Sequence, residues 1–488
     1  MDPGWRLRRH PVLATLMTRI FNAEYGSVAA QTPLEIVPGL QVRFLRDRTI
    51  LTNAGPEAFY VRAASAGFSI WTSLKQLLKS MRPALNPGYL RHHLQFGETV
   101  THATAWRNVH QLVPNAALTL NADGCSWRFE PWRQAGCRNG SFEHPAILLK
   151  RAIPASAVPV VLELSGGTDS TAIAYALAGR HDVLAITWAD PLAPNASDVE
   201  HARRIAGKLG FEHRVAVLSP GALFDLPAQF EPDRPSVSLF MLAERDRLVR
   251  NAIDGRTNAM VVNGHGGDHI FLDPPSPVPM LDLLFHGRVR EALKYYRTLV
   301  EFHGGGVLAP LRYRRVGQGI GRNCLSLTPG KRLHLRLIQQ ACYENAIWSR
   351  LGSRYRLVHP FTCPAMLNYA LSIAPHEHVG QRQSRLPFRK ALNDYHQTED
   401  FSRVSKGHLT GAFQRAIQLK EDILAALLEQ GIGAEYKMYR VDDMQRALRA
   451  AALGSIEIHP QLMNALSLEL FMQHWSHLSG VARWRIDS

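Results

Sequence analysis

The chain has 488 residues, too many for one ordinary core, since single cores rarely grow past about 250–300 residues; about two or three domains are expected. Hydrophobic residues at 46% and charged residues at 20% exclude a disordered chain, and no run approaches the ~20 apolar residues that cross a bilayer. A formal net charge of +15 favours anionic partners without choosing among nucleic acid, nucleotide phosphates and acidic peptide.

The N-terminus, MDPGWRLRRHPVLATLM, carries basic residues but no long apolar core and no small-residue cleavage site, so no signal peptide is expected. Five scattered cysteines (Cys125, Cys137, Cys324, Cys342 and Cys363) form no CxxC pair. They argue against a disulfide framework or a thiolate metal site and point to the cytoplasm. Residues 1–144 read as short strands and turns with a helix. Strands are expected at 40–45, 58–62, 67–72 and 117–120, and a helix at 74–81.

From about residue 145 the pattern changes. A helix over 145–152 precedes the short apolar run PVVLEL at 159–164, the signature of a buried parallel strand ended by glycines. A helix at 171–178, a strand at 182–188, a helix at 197–209, a strand at 214–218, a helix at 243–253 and a strand at 259–262 follow. Strands alternating with helices predict a doubly wound parallel α/β sheet, and beyond about residue 274 the chain reads as mainly helical. Residues 311–356 hold ten Lys or Arg and one acid, Glu344. That stretch is equally a surface for an anion or a solvated basic face.

Ser165-Gly166-Gly167-Thr168-Asp169-Ser170 lies between a buried strand and a helix, where open α/β sheets bind ligands. Two glycines let the backbone approach an anion, and the amides of the turn and helix start point at it. Ser165 and Ser170 add hydroxyls. Asp169 would repel a bare phosphate, so a cation is needed, and Mg2+ bridging carboxylate and phosphates is the natural one. A second turn, Asn263-Gly264-His265-Gly266-Gly267-Asp268, follows another short apolar strand and brings Asp268 to the same sheet edge. Two acids on separate turns can share one Mg2+.

SGGTDS followed about a hundred residues later by GHGGD resembles the asparagine synthetase C-terminal domain and its relatives, the β-lactam and carbapenam synthetases and the lasso peptide cyclases. Ala185-Ile186-Thr187-Trp188 is similar to the family strand whose backbone frames adenine. Asp198, Glu200, Ala202, Leu209, Gly210 and His213 fit the pattern after it. Pro360-Phe361 resembles a family PFLD segment, here PFTC, and 389–392 and 403–407 resemble its basic C-terminal motifs. The resemblance covers roughly residues 145–415 and implies an ATP-pyrophosphatase-type sheet with a helical C-terminal region. It implies ATP contacts from Leu164 to Ser170, Ile186, Gly264 and Arg403, with phosphate contacts also from Arg385 and Arg389. Lys406 is implied to stabilise charge on the acyl-adenylate.

Residues 1–144 resemble the family's glutaminase domain, GFSIWTSLKQLL being similar to its strand and following helix. That domain needs a cysteine nucleophile at the processed N-terminus, and position 2 is Asp2. A degenerate domain without glutamine hydrolysis is therefore expected, joined to a synthetase domain at 145–488. The tyrosine and glutamate of the β-lactam-forming relatives fall here on His265 and Arg356, which speaks against β-lactam closure. His265 is a general base or a packing residue.

The pattern that remains resembles the lasso peptide cyclases most. It implies adenylylation of an Asp or Glu side chain in a precursor peptide and attack by that peptide's own α-amine. A leader-binding protein and a leader protease are implied as helpers. Ordering a ~20-residue peptide costs on the order of 20 kcal/mol, which an enclosing helical region and the basic stretch would have to offset. Two other functions stand beside it: an ammonia-dependent amide synthetase acting on a small substrate, and a non-catalytic binder of nucleotide or nucleic acid. Nucleic acid is the weaker partner, since a binding scaffold has no need of two neighbouring carboxylates.

Overall fold

The computed structural model describes residues 34–37, 40–44, 48–53, 58–64, 67–113, 116–121, 124–129, 143–155, 158–190, 192, 196–228, 230–253 and 259–304. It continues over 306–312, 327–348, 355–380, 382–403, 407, 410–455, 458–480 and 484–485.

The first part is built from two antiparallel sheets. Strands β1 (Leu34–Val37), β2 (Leu40–Phe44), β3 (Arg48–Asn53), β7 (Ala116–Asn121) and β8 (Gly124–Phe129) form one, in that order. The other places β4 (Phe59–Ala64) between β5 (Gly67–Trp71) and β6 (Val109–Leu112). Helix α1 (Leu74–Met81) starts where Ser73 caps the Gln76 amide, and α2 (Pro87–Phe96) where Asn86 caps Tyr89. Leu40, Val42, Leu51, Phe59, Val61 and Leu118 form an apolar cluster that Tyr343 of the later chain joins.

After α3 (Pro145–Ala152) comes a five-stranded sheet. Its strands are β9 (Val160–Glu163), β10 (Val183–Ala189), β11 (Glu212–Val217), β12 (Ala259–Val262) and β13 (Tyr355–Val358). Their order is β11-β10-β9-β12-β13, and every pairing is parallel. Alternation along the strands divides the core into two layers. Val160, Leu162, Val183, Ala185, Met260 and Val262 pack with α3, α4 (Thr168–Ala176) and α5 (Ala196–Leu209). Val161, Ile186, Ala259 and Val261 face the opposite layer, which includes α6 (Leu242–Ile253). Helices on both faces explain why these strands read as continuous apolar runs.

Beyond residue 274 the expectation of a mainly helical chain needs correction at a short antiparallel ribbon, Val379–Gly380 with Gln383–Ser384, and at the strand β13. It is four residues long, sits at the sheet edge and lies beside a basic run, so its alternation is too brief to read. Its Tyr355 hydroxyl donates to Asp246 of α6 at 2.9 Å. The helices include α7 (Gly267–Ile270), α8 (Met280–Phe285), α9 (Val289–His303), α10 (Pro329–Trp348), α11 (Pro364–Ser372) and α12 (Leu386–His396). Four more, α13 (Thr410–Leu419), α14 (Glu421–Gln430), α15 (Val441–Ala452) and α16 (Pro460–Ser479), complete the C-terminal layer.

The boundary placed at 144/145 crosses a shared core. Trp106 packs on Phe471 and Trp475 of α16, and His93 of α2 meets the Ser467 hydroxyl at 2.9 Å. Among the described residues no helix is long and apolar enough to cross a membrane.

Candidate active site

β9 and β12 are neighbours in the sheet, and from them the chain order runs outward in opposite directions. Ligands of open parallel sheets bind at the carboxyl ends of the strands where this reversal occurs. Both glycine turns sit there, one after each strand. They touch. A Cβ on Gly264 would lie 2.8 Å from both the Asp169 Cβ and the Ser170 amide nitrogen, and a Cβ on Gly267 only 2.4 Å from the Asp169 Cγ. Only glycine permits this approach.

The first turn is held open by its own serines. The buried Ser170 hydroxyl donates to the Gly167 carbonyl and accepts from the Ser165 amide, both at 3.1 Å. Ser170 thus braces the loop, where a hydroxyl free for an anion was expected; the Ser165 side is the exposed one. Gly166 has φ +74°, and a Cβ there would lie 2.4 Å from the Asp198 carbonyl oxygen. α4 begins at Thr168 with no side chain capping it, so its first turn opens towards the adjoining cavity.

That cavity has a volume of about 420 Å³. Ser165, Gly166, Gly167, Thr168, Asp169 and Ser170 line it, joined from the second turn by Gly264, His265 and Asp268. Leu164 and Ile186 do not reach it, contrary to the sequence reading. Both are fully buried; the Leu164 amide donates to the Ile186 carbonyl at 2.8 Å, and the Thr187 hydroxyl donates to the Leu164 carbonyl at 2.6 Å. The wall at that level is Trp188 and Leu218.

A cation already stands beside Asp169. The Arg385 guanidinium donates through Nη1 to the Asp169 carboxylate and through Nε and Nη2 to Asp273. Arg389 and Arg403 also line the cavity but are committed elsewhere. Arg389 donates to the carbonyls of Ser384, Phe401 and Arg403. Burial, then the Arg385 charge, pull its guanidinium down to about 10, still protonated at neutral pH. Arg403 donates to the Gly166 carbonyl at 3.0 Å and to Asp198 at 2.6 Å, so it clamps the first turn onto α5. Lys406 lies outside the described residues. On either side of it, Arg403 and the Gly407 amide hold the two oxygens of the Asp198 carboxylate.

The second turn carries an acid–histidine cluster. The Asp268 carboxylate is 3.0 Å from His269 Nδ1. Burial alone would raise its carboxyl, but the His269 hydrogen bond and the nearby charges of His269, Arg385 and His265 outweigh that and hold it far below the usual range. His265 Nε2 lies 3.2 Å from Glu344 Oε2, within ion-pair reach though not aligned as a hydrogen bond. None of the described residues of 311–356 lines the cavity. The stretch reaches the second turn through its single acid.

Beneath the turns, Glu163 takes two hydrogen bonds from Arg245 at 2.6 Å each and one from Asn263 at 2.8 Å. The Asn263 side-chain oxygen accepts from the His265 amide and meets His359 Nδ1 at 2.8 Å. Burial, then the charges of His265 and Arg245, hold His359 well below its ordinary value, so it is neutral. This buried network sets the turn that carries His265 on the end of β12.

Residues 147–327 match the family model described as asparagine synthase. Over that segment the chain is similar to the asparagine synthetase family. Enzymes of that family are ATP-dependent amide-forming ligases and use ATP with Mg2+. The matched segment of this asparagine synthetase-like chain carries both glycine turns. No curated protein matches the chain.

The donor set suits such a metal. Mg2+ takes one or two protein carboxylates and completes its shell with phosphates and water. Asp169 and Asp268 come from turns in mutual contact and face one cavity. Among the described residues no three His, Cys, Asp or Glu form a cage, so a metal here would lean on the nucleotide.

Sequence reasoning missed Glu344, the clamp on Asp198 and the Asp273 arm of Arg385. Glu344 did carry a signal as the one acid among ten cations, but nothing local tied it to His265.

Proposed function

We propose that this chain closes a macrolactam in a ribosomal peptide at the expense of ATP, as a lasso peptide cyclase does. The observation that carries the reading is the meeting of two glycine turns, each with an acid, on one cavity at the sheet's switch point. A side-chain carboxylate oxygen of the peptide attacks the α-phosphorus of ATP, and pyrophosphate leaves. The peptide's α-amine nitrogen then attacks the acyl carbon, and AMP leaves with one carboxylate oxygen. Asp169 and Asp268 would hold Mg2+, which supplies charge neutralisation at the pyrophosphate. The amides at the start of α4 receive the phosphates. His265, backed by Glu344, takes the proton from the attacking amine. Lys406 would stabilise the developing charge, as the resemblance implies.

In this reading the amine comes from the substrate itself, as the resemblance to the lasso peptide cyclases implies. A leader-binding protein and a leader protease complete the proposed set of partners, and the reaction takes place in the cytoplasm.

The test uses the small peptides encoded beside this chain's gene, freed of any leader and incubated with the protein, ATP and Mg2+. The reading expects a product lighter by one water, together with AMP. Amide formation only from ammonium and a free amino acid would favour a small-molecule amide synthetase. Nucleotide binding without turnover of either would favour a non-catalytic scaffold.

A further inference from the structure

Arg385 is among the most confined cations of the cavity wall. Its side chain is 5% exposed, and three of its nitrogens are divided between two carboxylates. Nε and Nη2 hold Asp273, while Nη1 alone reaches Asp169. Asp273 is itself anchored, its amide donating to the Asp268 carbonyl at 2.8 Å. The backbone at Arg385 has φ +60°, a region other residues seldom occupy, and it opens α12 there. A residue held at such a φ and so deeply buried is placed for its side chain.

The guanidinium sits between the Asp169 and Asp273 carboxylates, and the charge of Asp268 also acts on it. Without it that corner of the cavity would carry more negative charge and attract a divalent cation more strongly. With it, Asp169 is spoken for. A nucleotide changes the balance, because its phosphates offer Nη1 a second anion while Asp273 keeps the rest of the guanidinium in place. Guanidinium geometry suits either partner, carboxylate or phosphate.

We propose that Arg385 is a specificity-determining residue that reserves the Asp169 carboxylate, so that a divalent cation is accepted together with the nucleotide and not before it. This rests on the nucleotide reading of the cavity, but not on what the activated carboxylate later becomes.

The experiment is Mn2+ binding to the full chain, followed by electron paramagnetic resonance with and without a non-hydrolysable ATP analogue. Wild type is expected to bind Mn2+ at least ~10-fold more tightly when the analogue is present. Arg385→Gln is expected to bind Mn2+ alone at least ~10-fold more tightly than wild type. That gain should vanish in Arg385→Gln with Asp169→Asn. If removing the arginine prevents folding, Arg385→Gln with Asp273→Asn removes it along with its second carboxylate and should show the same gain. Equal Mn2+ affinity of wild type with and without the analogue would overturn the proposal. So would a gain in Arg385→Gln that survives Asp169→Asn. Failure of wild type to bind the analogue at all, even with Mn2+, would overturn the nucleotide reading and this inference with it.

Discussion

His265 and Glu344 meet across the second glycine turn, Nε2 to Oε2 at 3.2 Å, although one leaves the end of β12 and the other projects from the far part of α10. A carboxylate beside an imidazole helps to orient the ring. Burial alone would raise the Glu344 carboxyl, but His265 and His269 hold it low, so it stays ionised behind the ring.

Glu344→Ala should therefore slow amide formation by about 10–100-fold while leaving pyrophosphate release within about twofold. His265→Ala should do the same, and the double variant little more, because the two act as one unit. Pyrophosphate and closed product measured in the same reaction check this. An equal loss in both steps would make Glu344 a packing residue.

Asp169→Asn and Asp268→Asn should each lower pyrophosphate release by ~1000-fold or more, since each removes a charge from the cation site. Stability should change by about 1–2 kcal/mol at most, the cost of one weakened charged hydrogen bond. Turnover assays beside urea unfolding separate the two effects. Either variant turning over like wild type would remove its carboxylate from the metal assignment.

Gly166→Ala should destabilise by about 2–4 kcal/mol, because an alanine must adopt a positive φ and push against the Asp198 carbonyl. Gly207→Ala is the contrasting case. It lies within α5 with open space where the methyl would stand, and it should stabilise by about 0.5–1 kcal/mol. Urea midpoints of the two variants against wild type check both signs.

Asp400 couples stability to pH. It accepts from Lys208 at 2.8 Å, Arg204 at 2.7 Å and the Tyr175 hydroxyl. Burial would raise its carboxyl, but these partners outweigh burial and hold it below the ordinary value. A depressed folded value means the stabilisation is present above the unfolded value near ~3.9 and is lost as pH falls through the folded one. Asp400→Asn should thus cost about 1–3 kcal/mol at neutral pH, at the modest end because Lys208 and Arg204 are half-exposed. The gap from wild type should close progressively below pH ~4 in melts across the acid range. A gap that stays constant down to acid pH would contradict the ionised role.

The parts of this site that were legible in sequence are those whose signal is local. Val160–Glu163 and Ala259–Val262 announce themselves as buried strands, and the glycines after each mark turns, so Asp169 and Asp268 could be named without coordinates. The sheet order that makes β9 and β12 neighbours is set by packing across the whole domain, though alternation of strands and helices foreshadowed its class. Contacts made by long side chains from remote elements were not legible. Arg385 reaches Asp169 from 216 residues away, and its arrival changes the electrostatics of an acid that otherwise seemed to demand a metal alone. Leu164 and Ile186 misled for the opposite reason. Their place at the strand ends suggested a ligand, yet neighbouring strands had already used the backbone groups involved.

The proposed reaction activates a peptide carboxylate as its adenylate. The most direct measurement labels the Asp and Glu side-chain carboxylates of the substrate peptide with heavy oxygen and follows the label by mass spectrometry after closure with ATP. One labelled oxygen is expected in the phosphate of AMP and none in pyrophosphate. Label in inorganic phosphate with ADP as co-product, or a closed peptide with unlabelled AMP, would contradict the proposed reaction.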